Sequence, residues 1–525
     1  MSTTNNNGAH VLLHPFPSPG HIIPLLDLTH LLLTRGLTVT VLVTPTYLPL
    51  LHPLLSIHPS SSIQPFLLQH PDAPTSSRFS LAAKIRATSE LYNPILQWFQ
   101  SHPSPPVAII SDFFLGWTQN LASQIGVPRV VFWTSGVFAS SVFSCLWRDL
   151  PKNHEPDNEN FLISFPNIPN SPTFPWWQLT NAYRYYKEGD PDWEFLKDCM
   201  LANLTSWGVV YNSFTELDRV YIDHVKKELG HNRVWAVGPL LPSSEDYLLG
   251  VTRRGGSSAM PPHEVMTWLD GKADASVVYV CFGSRGMLTN EQMDSLAAAL
   301  ECSGVHFIWC VKATEQGHAS VILHELQDCV GARGFVIKGW APQVAILRHR
   351  AIGAFVTHCG WNSVLEGLAA GVMMLTWPLK ADQFANAKLL VDQLGVAVRA
   401  CEGGDQSVPN CVEFTRMLAE SVNGSRPERA KVMQLRDAAV NAVKGGSSSR
   451  NLQEFVKQLG ELKNGTLSTK LPVVYAVLVL KDWHIDHYRG NSFTESGNGT
   501  LQLQFILFGR RGIKGYSEGI RDIQA

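Results

Sequence analysis

The sequence has little charge and no paired-cysteine motif, and these absences exclude several classes of protein. Charged residues make up only 16% of its 525 residues, and the formal net charge of -2 provides no electrostatic basis for binding nucleic acid. The nine cysteines are scattered without a CxxC pair, which indicates free thiols in a reducing compartment rather than a disulfide framework.

Long apolar runs and targeting signals are also missing. No stretch of about 18 apolar residues is present, so we expect no membrane span. The first residues, MSTTNNNGAH, lack the basic start and apolar core of a signal peptide. We therefore expect a monomeric cytoplasmic protein without stable membrane insertion. No GxGxxG opens a βαβ unit and no GxSxG is present, which argues against a dehydrogenase and a hydrolase.

The apolar runs that are present predict an α/β fold with two doubly wound, Rossmann-like domains facing a central cleft. In both halves, short buried strands alternate with helices. The first half is predicted to span residues 8–242 and the second 263–445, with a flexible linker at 243–262. Strands are predicted at residues 10–16, 37–44, 107–113, 127–135, 207–212 and 234–237, and then at 276–282, 306–311, 334–340, 351–357 and 372–378.

A candidate anion site follows the apolar strand at residues 351–357. This strand stops at His358-Cys359-Gly360, and Trp361-Asn362-Ser363 then opens a helix. A strand, a glycine turn and a helix start bring backbone N–H groups and a helix dipole to one point, which suits a pyrophosphate. The side chains of His358, Asn362 and Ser363 add further hydrogen-bond donors.

Residues around this site can hold the rest of a nucleotide sugar. Trp340 offers a flat face on which a base can stack, and Glu366 lies one turn into the helix, where it can accept from a ribose diol. Asp382 and Gln383 provide acceptors and donors for sugar hydroxyls.

The segment from Trp340 to Gln383 closely resembles the sugar-nucleotide box of plant UDP-glycosyltransferases, which glycosylate small molecules. A match this long is more specific than a lone glycine motif, although Met373 stands where a proline is common. The resemblance implies the GT-B fold, with a helix at 446–463 packing back on the first half. Trp361 could instead be a core residue. The positions that the resemblance assigns to the UDP-sugar are Thr134, Ser284, Trp340, Ala341, Gln343, His358, Gly360, Trp361, Asn362, Ser363, Glu366, Asp382 and Gln383.

His21 and Asp112 are the candidate catalytic pair. His21 follows the first predicted strand, at the edge where open α/β sheets bind ligands, and precedes a helix predicted at residues 25–36. A histidine there can act as a general base near neutral pH. Asp112 ends another strand and can accept from the second ring nitrogen, as the resemblance also implies. The alternative for Asp112 is capping of the next helix.

Aromatic residues of the first half predict a flat pocket for a phenolic acceptor, of flavonol or hydroxybenzoate type by resemblance. A phenolic hydroxyl, with a pKa of about 10, can give its proton to a histidine base. Its exact identity cannot be predicted, because variable loops form such pockets. About half of the candidates are expected to be core residues instead. They are Phe16, Phe113, Phe138, Trp147, Trp176 and Trp177.

Two polar clusters resemble metal ligands, but we expect no metal and no cofactor. Asp190-Pro191-Asp192 matches the DxD that holds a divalent ion in other glycosyltransferases, yet it lies in a polar, Tyr-rich stretch and is predicted to be surface. His484 and His487 have no evident further ligand beside them except Asp486.

These features predict an inverting, metal-independent transfer of glucose from UDP-glucose to a phenolic hydroxyl. Gln383 favours glucose, because a histidine at this position is associated in the family with other sugars. Two alternatives remain open. One is the same fold using UDP-xylose, UDP-rhamnose or UDP-galactose; the other is a UDP-sugar-binding protein without turnover.

The residues after Lys463 depart from the family pattern, in which chains normally end near this point. Residues 464–525 include LPVVYAVLVL and FILFGRRGIKGYSEG and show no clear helical or alternating pattern. We expect this tail to be an appended translation product that lies outside the fold.

Overall fold

The computed structural model describes residues 8–69, 81–242, 260–312, 318–424 and 426–465. The predicted linker and tail therefore lie outside the described residues, apart from 260–262 and 464–465. Within the described ranges, no helix is both long enough and apolar enough to cross a membrane.

The first half is built on a parallel sheet whose central strands are buried on both faces. Such strands are continuous apolar runs because helices cover the sheet on both sides. In chain order the strands are β1 (His10–His14), β2 (Thr38–Val43), β3 (Ile63–Leu67), β4 (Ala108–Asp112), β5 (Arg129–Trp133), β6 (Leu162–Ser164), β7 (Thr173–Pro175), β8 (Gly208–Tyr211) and β9 (Val234–Ala236). Seven of them form the sheet in the order β3-β2-β1-β4-β5-β8-β9, while β6 and β7 form a separate antiparallel pair.

Helices connect these strands. They are α1 (Pro19–Leu33), α2 (Leu48–Ile57), α3 (Leu81–Ala87), α4 (Tyr92–Ser101), α5 (Thr118–Ile125), α6 (Val137–Asp149), α7 (Asn181–Arg184), α8 (Pro191–Ala202) and α9 (Thr215–Leu229).

The second half repeats the design with six parallel strands in the order β12-β11-β10-β13-β14-β15. These are β10 (Val277–Cys281), β11 (His306–Val311), β12 (Gly334–Lys338), β13 (Ile352–Thr357), β14 (Met373–Thr376) and β15 (Ala397–Arg399). A π-helix at Leu389–Gln393 follows α15. The helices are α10 (Pro262–Asp270), α11 (Asn290–Cys302), α12 (His318–Val330), α13 (Gln343–Arg348), α14 (Trp361–Ala370), α15 (Gln383–Lys388), α16 (Cys411–Ser421), α17 (Pro427–Val443) and α18 (Ser447–Lys463).

Each sheet has a point where the strand order reverses, between β1 and β4 in the first half and between β10 and β13 in the second. Connections leave in opposite directions there, so a crevice opens at the carboxyl ends of the strands. The doubly wound architecture predicted from the sequence is therefore confirmed.

The final helix, α18, packs against the sheet of the first half. Leu452, Phe455 and Leu459 are buried in the same apolar cluster as β1 and β2. The Phe455 ring lies 4.9 Å from that of Trp235 on β9, and Asn451 Nδ2 donates to Ala236 O at 2.9 Å. The apolar face of α18 thus completes the core of the first half.

The structure differs from the sequence prediction at two single strands, one strand pair and the start of one helix. The prediction missed β3, whose side chains are mostly exposed and which contains a proline, as is typical of an edge strand. It also missed β15 and the β6–β7 pair, which have three residues per strand. The helix predicted at residues 25–36 begins at Pro19, because proline is favoured in the first turn.

Truncation after Lys463 should leave thermal stability and glycosyl transfer unchanged, because α18 remains complete. Removal of residues 447–525 should instead destabilise the protein strongly, since loss of one buried phenylalanine alone costs about 3–5 kcal/mol. Thermal unfolding and turnover of the three proteins would be compared. A lower melting temperature or turnover after truncation at Lys463 would show that the tail contributes to the fold.

Candidate active site

A cavity of about 580 Å³ lies at the crevices of the two sheets and is lined by residues of both halves. The first half contributes residues that follow β1, β4 and β5, and the second contributes residues that follow β10, β12, β13 and β14. The carboxyl ends of strands therefore form one part of the cavity, where parallel sheets place ligands.

His21 lines this cavity from the first turn of α1 and is bonded to Asp112 at the end of β4. His21 Nδ1 lies 2.7 Å from Asp112 Oδ2, and Thr134 Oγ1 is 3.3 Å from the same nitrogen. A carboxylate only accepts, so Nδ1 carries the proton and Nε2 is left with the lone pair of a base. Asp112 also accepts from Phe114 N at 2.9 Å within its own turn, but it does not cap α5, whose N-cap residue is Trp117.

A buried arginine supports the turn that carries Asp112. Arg129 is fully buried, and its Nη2 donates to Asp112 O at 3.4 Å and to Asn203 Oδ1 at 3.0 Å. Asn203 Nδ2 in turn donates to Phe113 O at 2.9 Å. Burial lowers the pKa of Arg129 to about 10, which still leaves it charged at neutral pH. Arg129 was not predicted, although its place inside the apolar strand predicted at residues 127–135 was an available signal.

The predicted anion site lies at the N-terminus of α14. Gly283 and Gly360 flank His358, and a Cβ atom at either position would come within 2.6 or 2.4 Å of His358 Nε2. Burial, with a contribution from the positive charge of Lys380, lowers the pKa of His358 to about 4. The imidazole is therefore neutral at physiological pH and has one N–H to donate, and its Nδ1 is bonded to none of the described residues. Ser284 also lines this part of the cavity.

The nucleoside side of the cavity is organised by Gln343. Its Nε2 donates to Glu366 Oε2 at 2.6 Å and to Ser363 Oγ at 3.0 Å, and its Oε1 accepts from Tyr279 OH at 3.1 Å. Trp340 and Ala341 line the same region. The structure thus brings the predicted ribose and base residues together. It adds Tyr279, which sequence reasoning missed because it lies within an ordinary buried strand.

The two residues predicted to hold the sugar differ in their placement. Asp382 lines the cavity, and its Oδ2 accepts from Ser135 Oγ at 2.8 Å and from Asn386 Nδ2 at 3.1 Å. Burial raises the pKa of Asp382. Gln383 is buried beside the lining rather than in it, and its Oε1 accepts from the backbone of Leu379 and Lys380 at 2.8 and 2.9 Å. The expectation that its whole amide faces sugar hydroxyls is therefore wrong: only Nε2 is left for that role.

The predicted acceptor aromatics divide into lining and core residues. Phe113 and Trp147 line the cavity. Phe138 does not, because its ring is fully buried 4.8 Å from that of Tyr221. Phe16 is also outside the lining and packs edge-on against the His21 ring.

Other apolar residues complete the acceptor wall. Phe143 and Trp147 are four residues apart on α6, and Leu196 and Met200 are four apart on α8, so each pair lies on one helix face. The four-residue spacing within each pair was the only feature of the sequence that could have predicted a shared helix face for these residues. Phe114 joins them, stacked at 5.2 Å on His21. The remaining two candidates, Trp176 and Trp177, pack against Tyr183 and Phe384.

The α14 start also contacts the first half directly. Trp361 lines the cavity, but its Nε1 donates to Asn212 O at 2.7 Å and its ring packs on Gly136. Asn362 Nδ2 donates to Gly20 O at 2.9 Å. These two box residues therefore join the halves as well as lining the cavity.

The DxD stretch has structural partners. Asp190 caps α8 by accepting from the backbone of Asp192 and Trp193, and Asp192 pairs with Arg86 at 2.9 Å. Across the ranges that the structure describes, no group of three or more His, Cys, Asp or Glu side chains is arranged to hold a metal ion. The His484–His487 cluster lies outside these ranges.

Comparison with known proteins identifies the family. Residues 237–410 match the model of the family described as UDP-glucoronosyl and UDP-glucosyl transferase. The chain is 49% identical over 471 residues to flavonol 3-O-glucosyltransferase UGT89B1 of Arabidopsis thaliana, covering 86% of this chain and 96% of that one. It is 39% identical over 483 residues to a flavonol 7-O-rhamnosyltransferase of the same plant, covering 87% of this chain and 100% of that one.

Solved structures show the same relationship. Arabidopsis thaliana UGT89C1 complexed with quercetin has a TM-score of 0.68 and 37% identity, covering 86% of this chain and 100% of that one. Medicago truncatula UGT71G1 complexed with UDP-glucose has a TM-score of 0.75 and 25% identity, covering 87% and 100%. The chain therefore belongs to the plant UDP-glycosyltransferase family, as an enzyme with the GT-B fold.

Proposed function

We propose that this enzyme transfers glucose from UDP-glucose to a hydroxyl of a phenolic small molecule, of flavonol or hydroxybenzoate type. The observation that carries the proposal is the pairing of His21 with Asp112 in the same cavity as the N-terminus of α14. A general base and a diphosphate site facing one space are the two parts that such a transfer requires.

The reaction begins with the acceptor hydroxyl at His21 Nε2, which removes its proton as the C–O bond forms. Asp112 stabilises the imidazolium through the 2.7 Å hydrogen bond to Nδ1. The acceptor oxygen attacks the anomeric carbon from the side opposite the UDP, whose oxygen takes the electrons of the bond that breaks. An α-linked donor sugar thereby becomes a β-glycoside.

The departing diphosphate gains negative charge, which the chain's own groups stabilise. The first N–H groups of α14 point at this site, and the helix dipole favours an anion there. Neutral His358 donates one N–H, and Ser284 and Ser363 add hydroxyls. This set performs the charge stabilisation that a divalent ion provides in metal-dependent transferases.

The acceptor side is apolar and aromatic, which suits a flat phenol. Phe113 and Phe114 stack on the His21 ring, and Trp147 also lines the cavity. The relatives named for flavonols and the structure named for quercetin support an acceptor of this class. The test is a mass-spectrometric screen of the purified protein with UDP-glucose against a phenolic library. Absence of any glycoside would favour a UDP-sugar-binding protein without turnover.

The donor sugar has a second candidate. The rhamnosyltransferase relative supports UDP-rhamnose as the alternative to UDP-glucose. Glucose is favoured by Gln383, which ends the sugar-nucleotide box of residues 340–383. This segment is called the donor box below. Equal concentrations of UDP-glucose, UDP-rhamnose, UDP-xylose and UDP-galactose in one reaction would decide. The mass of the product identifies a rhamnoside or a xyloside, and chromatographic retention against standards separates a glucoside from a galactoside of equal mass.

His21→Ala should lower turnover about 10²–10⁴-fold with a phenol acceptor while UDP affinity stays nearly unchanged, because the base acts only in the transition state. Steady-state kinetics and calorimetric UDP titration measure the two effects. His324→Ala, which changes a largely exposed histidine, is the matched control and should be neutral. Near-normal turnover of the His21 variant would refute the assignment of the base.

Gln383→His should change the preference among UDP-sugars more than the preference among acceptors. Its Nε2 amide is the group left for the sugar, and leaving a polar partner unpaired costs about 1–3 kcal/mol. Product ratios from mixed UDP-sugars measure the change, and Gln453→His on the exposed side of α18 is the control. If the variant kept its full preference for UDP-glucose, Gln383 would not read the sugar.

Activity should persist in excess EDTA, because the diphosphate is held by α14, His358 and Ser363. Asp192→Ala should be nearly silent, since Asp192 pairs with Arg86 in a partly exposed ion pair. Initial rates of glycosyl transfer, measured with and without EDTA, test this prediction. Inactivation by EDTA that magnesium or manganese reverses would overturn the metal-independent mechanism.

A further inference from the structure

Helix α1 contains a proline that leaves one backbone carbonyl without its usual partner. Pro24 is the sixth residue of α1 and has no N–H. In an α-helix the N–H of residue 24 would bond to the carbonyl of residue 20. The Gly20 carbonyl is therefore available to a partner from outside the helix.

That partner comes from the other half of the molecule. Asn362, the second residue of α14, donates from Nδ2 to Gly20 O at 2.9 Å, across 342 positions of sequence. A carbonyl only accepts, which fixes the end of the amide that faces it. A Cβ at residue 20 would lie 4.0 Å from Asn362 Nδ2, which is an ordinary contact, so the hydrogen bond depends on the carbonyl of Gly20 and not on its missing side chain.

We propose that Pro24, the Gly20 carbonyl and Asn362 form a latch that positions His21 against the diphosphate site. His21 is the residue after Gly20, so a hydrogen bond that fixes the Gly20 carbonyl also restrains the position of His21. The amide nitrogen has two hydrogens, so Asn362 can hold Gly20 with one and a donor phosphate with the other. This assignment rests on the proposed function, in which His21 is the base. Pro24 and Asn362 act in it as positioning residues.

The latch predicts an effect on turnover that differs from an effect on folding. Pro24→Ala restores an N–H that competes for Gly20 O from within α1, and it changes no residue of the donor box. The helix gains a hydrogen bond and loses a proline, so its stability should not fall. The link between the base and α14 is weakened, however, because Gly20 O is then shared between two donors, and a small misplacement of a reacting group lowers the rate.

The first experiment compares Pro24→Ala with Pro53→Ala. Pro53 also lies inside a helix, α2, and serves as the matched control. We expect kcat of Pro24→Ala to fall about three- to tenfold, as for the loss of one hydrogen bond. The melting temperature and the calorimetric affinity for UDP should be unchanged or higher, and Pro53→Ala should keep its kcat. Full kcat in Pro24→Ala, or a loss accompanied by a lower melting temperature, would overturn the latch.

The second experiment places Pro24→Ala in an Asn362→Ala background. If both residues act through one hydrogen bond, the proline substitution should have no further effect on kcat there. An equal loss in both backgrounds would show that Pro24 acts by another route. His21→Ala, measured alongside, distinguishes failure of the proposed base from failure of the latch. If the His21→Ala enzyme is active, His21 is not the base. If it is inactive while Pro24→Ala keeps full activity, only the latch is refuted.

A third measurement needs no turnover. Hydrogen–deuterium exchange of the first turns of α1 should be faster in Asn362→Ala than in the unmodified protein, while the end of α1 near Leu33 should exchange equally. Equal exchange throughout α1 would show that Asn362 does not hold the helix, whatever reaction the enzyme catalyses.

Discussion

The buried carboxylate of Asp112 is the constraint on which the active site depends. It is 1% exposed, so its charge must be compensated by hydrogen bonds and nearby positive charge. His21 and the N–H of Phe114 supply those bonds, and the charge of Arg129 lies behind the same turn. Because the carboxylate can only accept, it also fixes the tautomer of His21 and leaves Nε2 without the proton. One buried charge therefore sets the position and the tautomer of the proposed catalytic pair.

The second requirement is that the crevices of the two sheets open into the same cavity. Residues of the donor box meet this requirement by binding the first half as well as lining the cavity. Trp361 donates to Asn212 O, Asn362 donates to Gly20 O, and Asp382 accepts from Ser135. The same short segment thus forms the proposed diphosphate site and bonds to the turn that carries His21. A donor site built only for affinity would not need these bonds across the cleft.

Much of the fold and the donor site could be predicted, for reasons that lie in particular residues. The central strands are continuous apolar runs, and a strand–glycine–helix sequence specifies an anion site locally. Prediction failed where the deciding contact comes from distant sequence. Gln383 was assigned to the sugar, yet its oxygen is bonded to the backbone of its own loop. Phe138 and Phe143 both lie on α6, but only tertiary packing decides that the first is core and the second lines the cavity.

The proposed donor and acceptor sites are therefore built from differently organised parts of the chain. Most donor residues lie in one continuous segment whose members bond to each other, as Gln343 does to Ser363 and Glu366. A substitution there disturbs several neighbours at once. The acceptor wall is assembled from helix faces, with Phe143 on α6 and Leu196 on α8, and its side chains contribute shape rather than a hydrogen-bond network. Apolar residues on such faces can change size individually at modest cost. The architecture thus allows the wall of the proposed acceptor site to vary while the proposed donor site and catalytic pair stay the same.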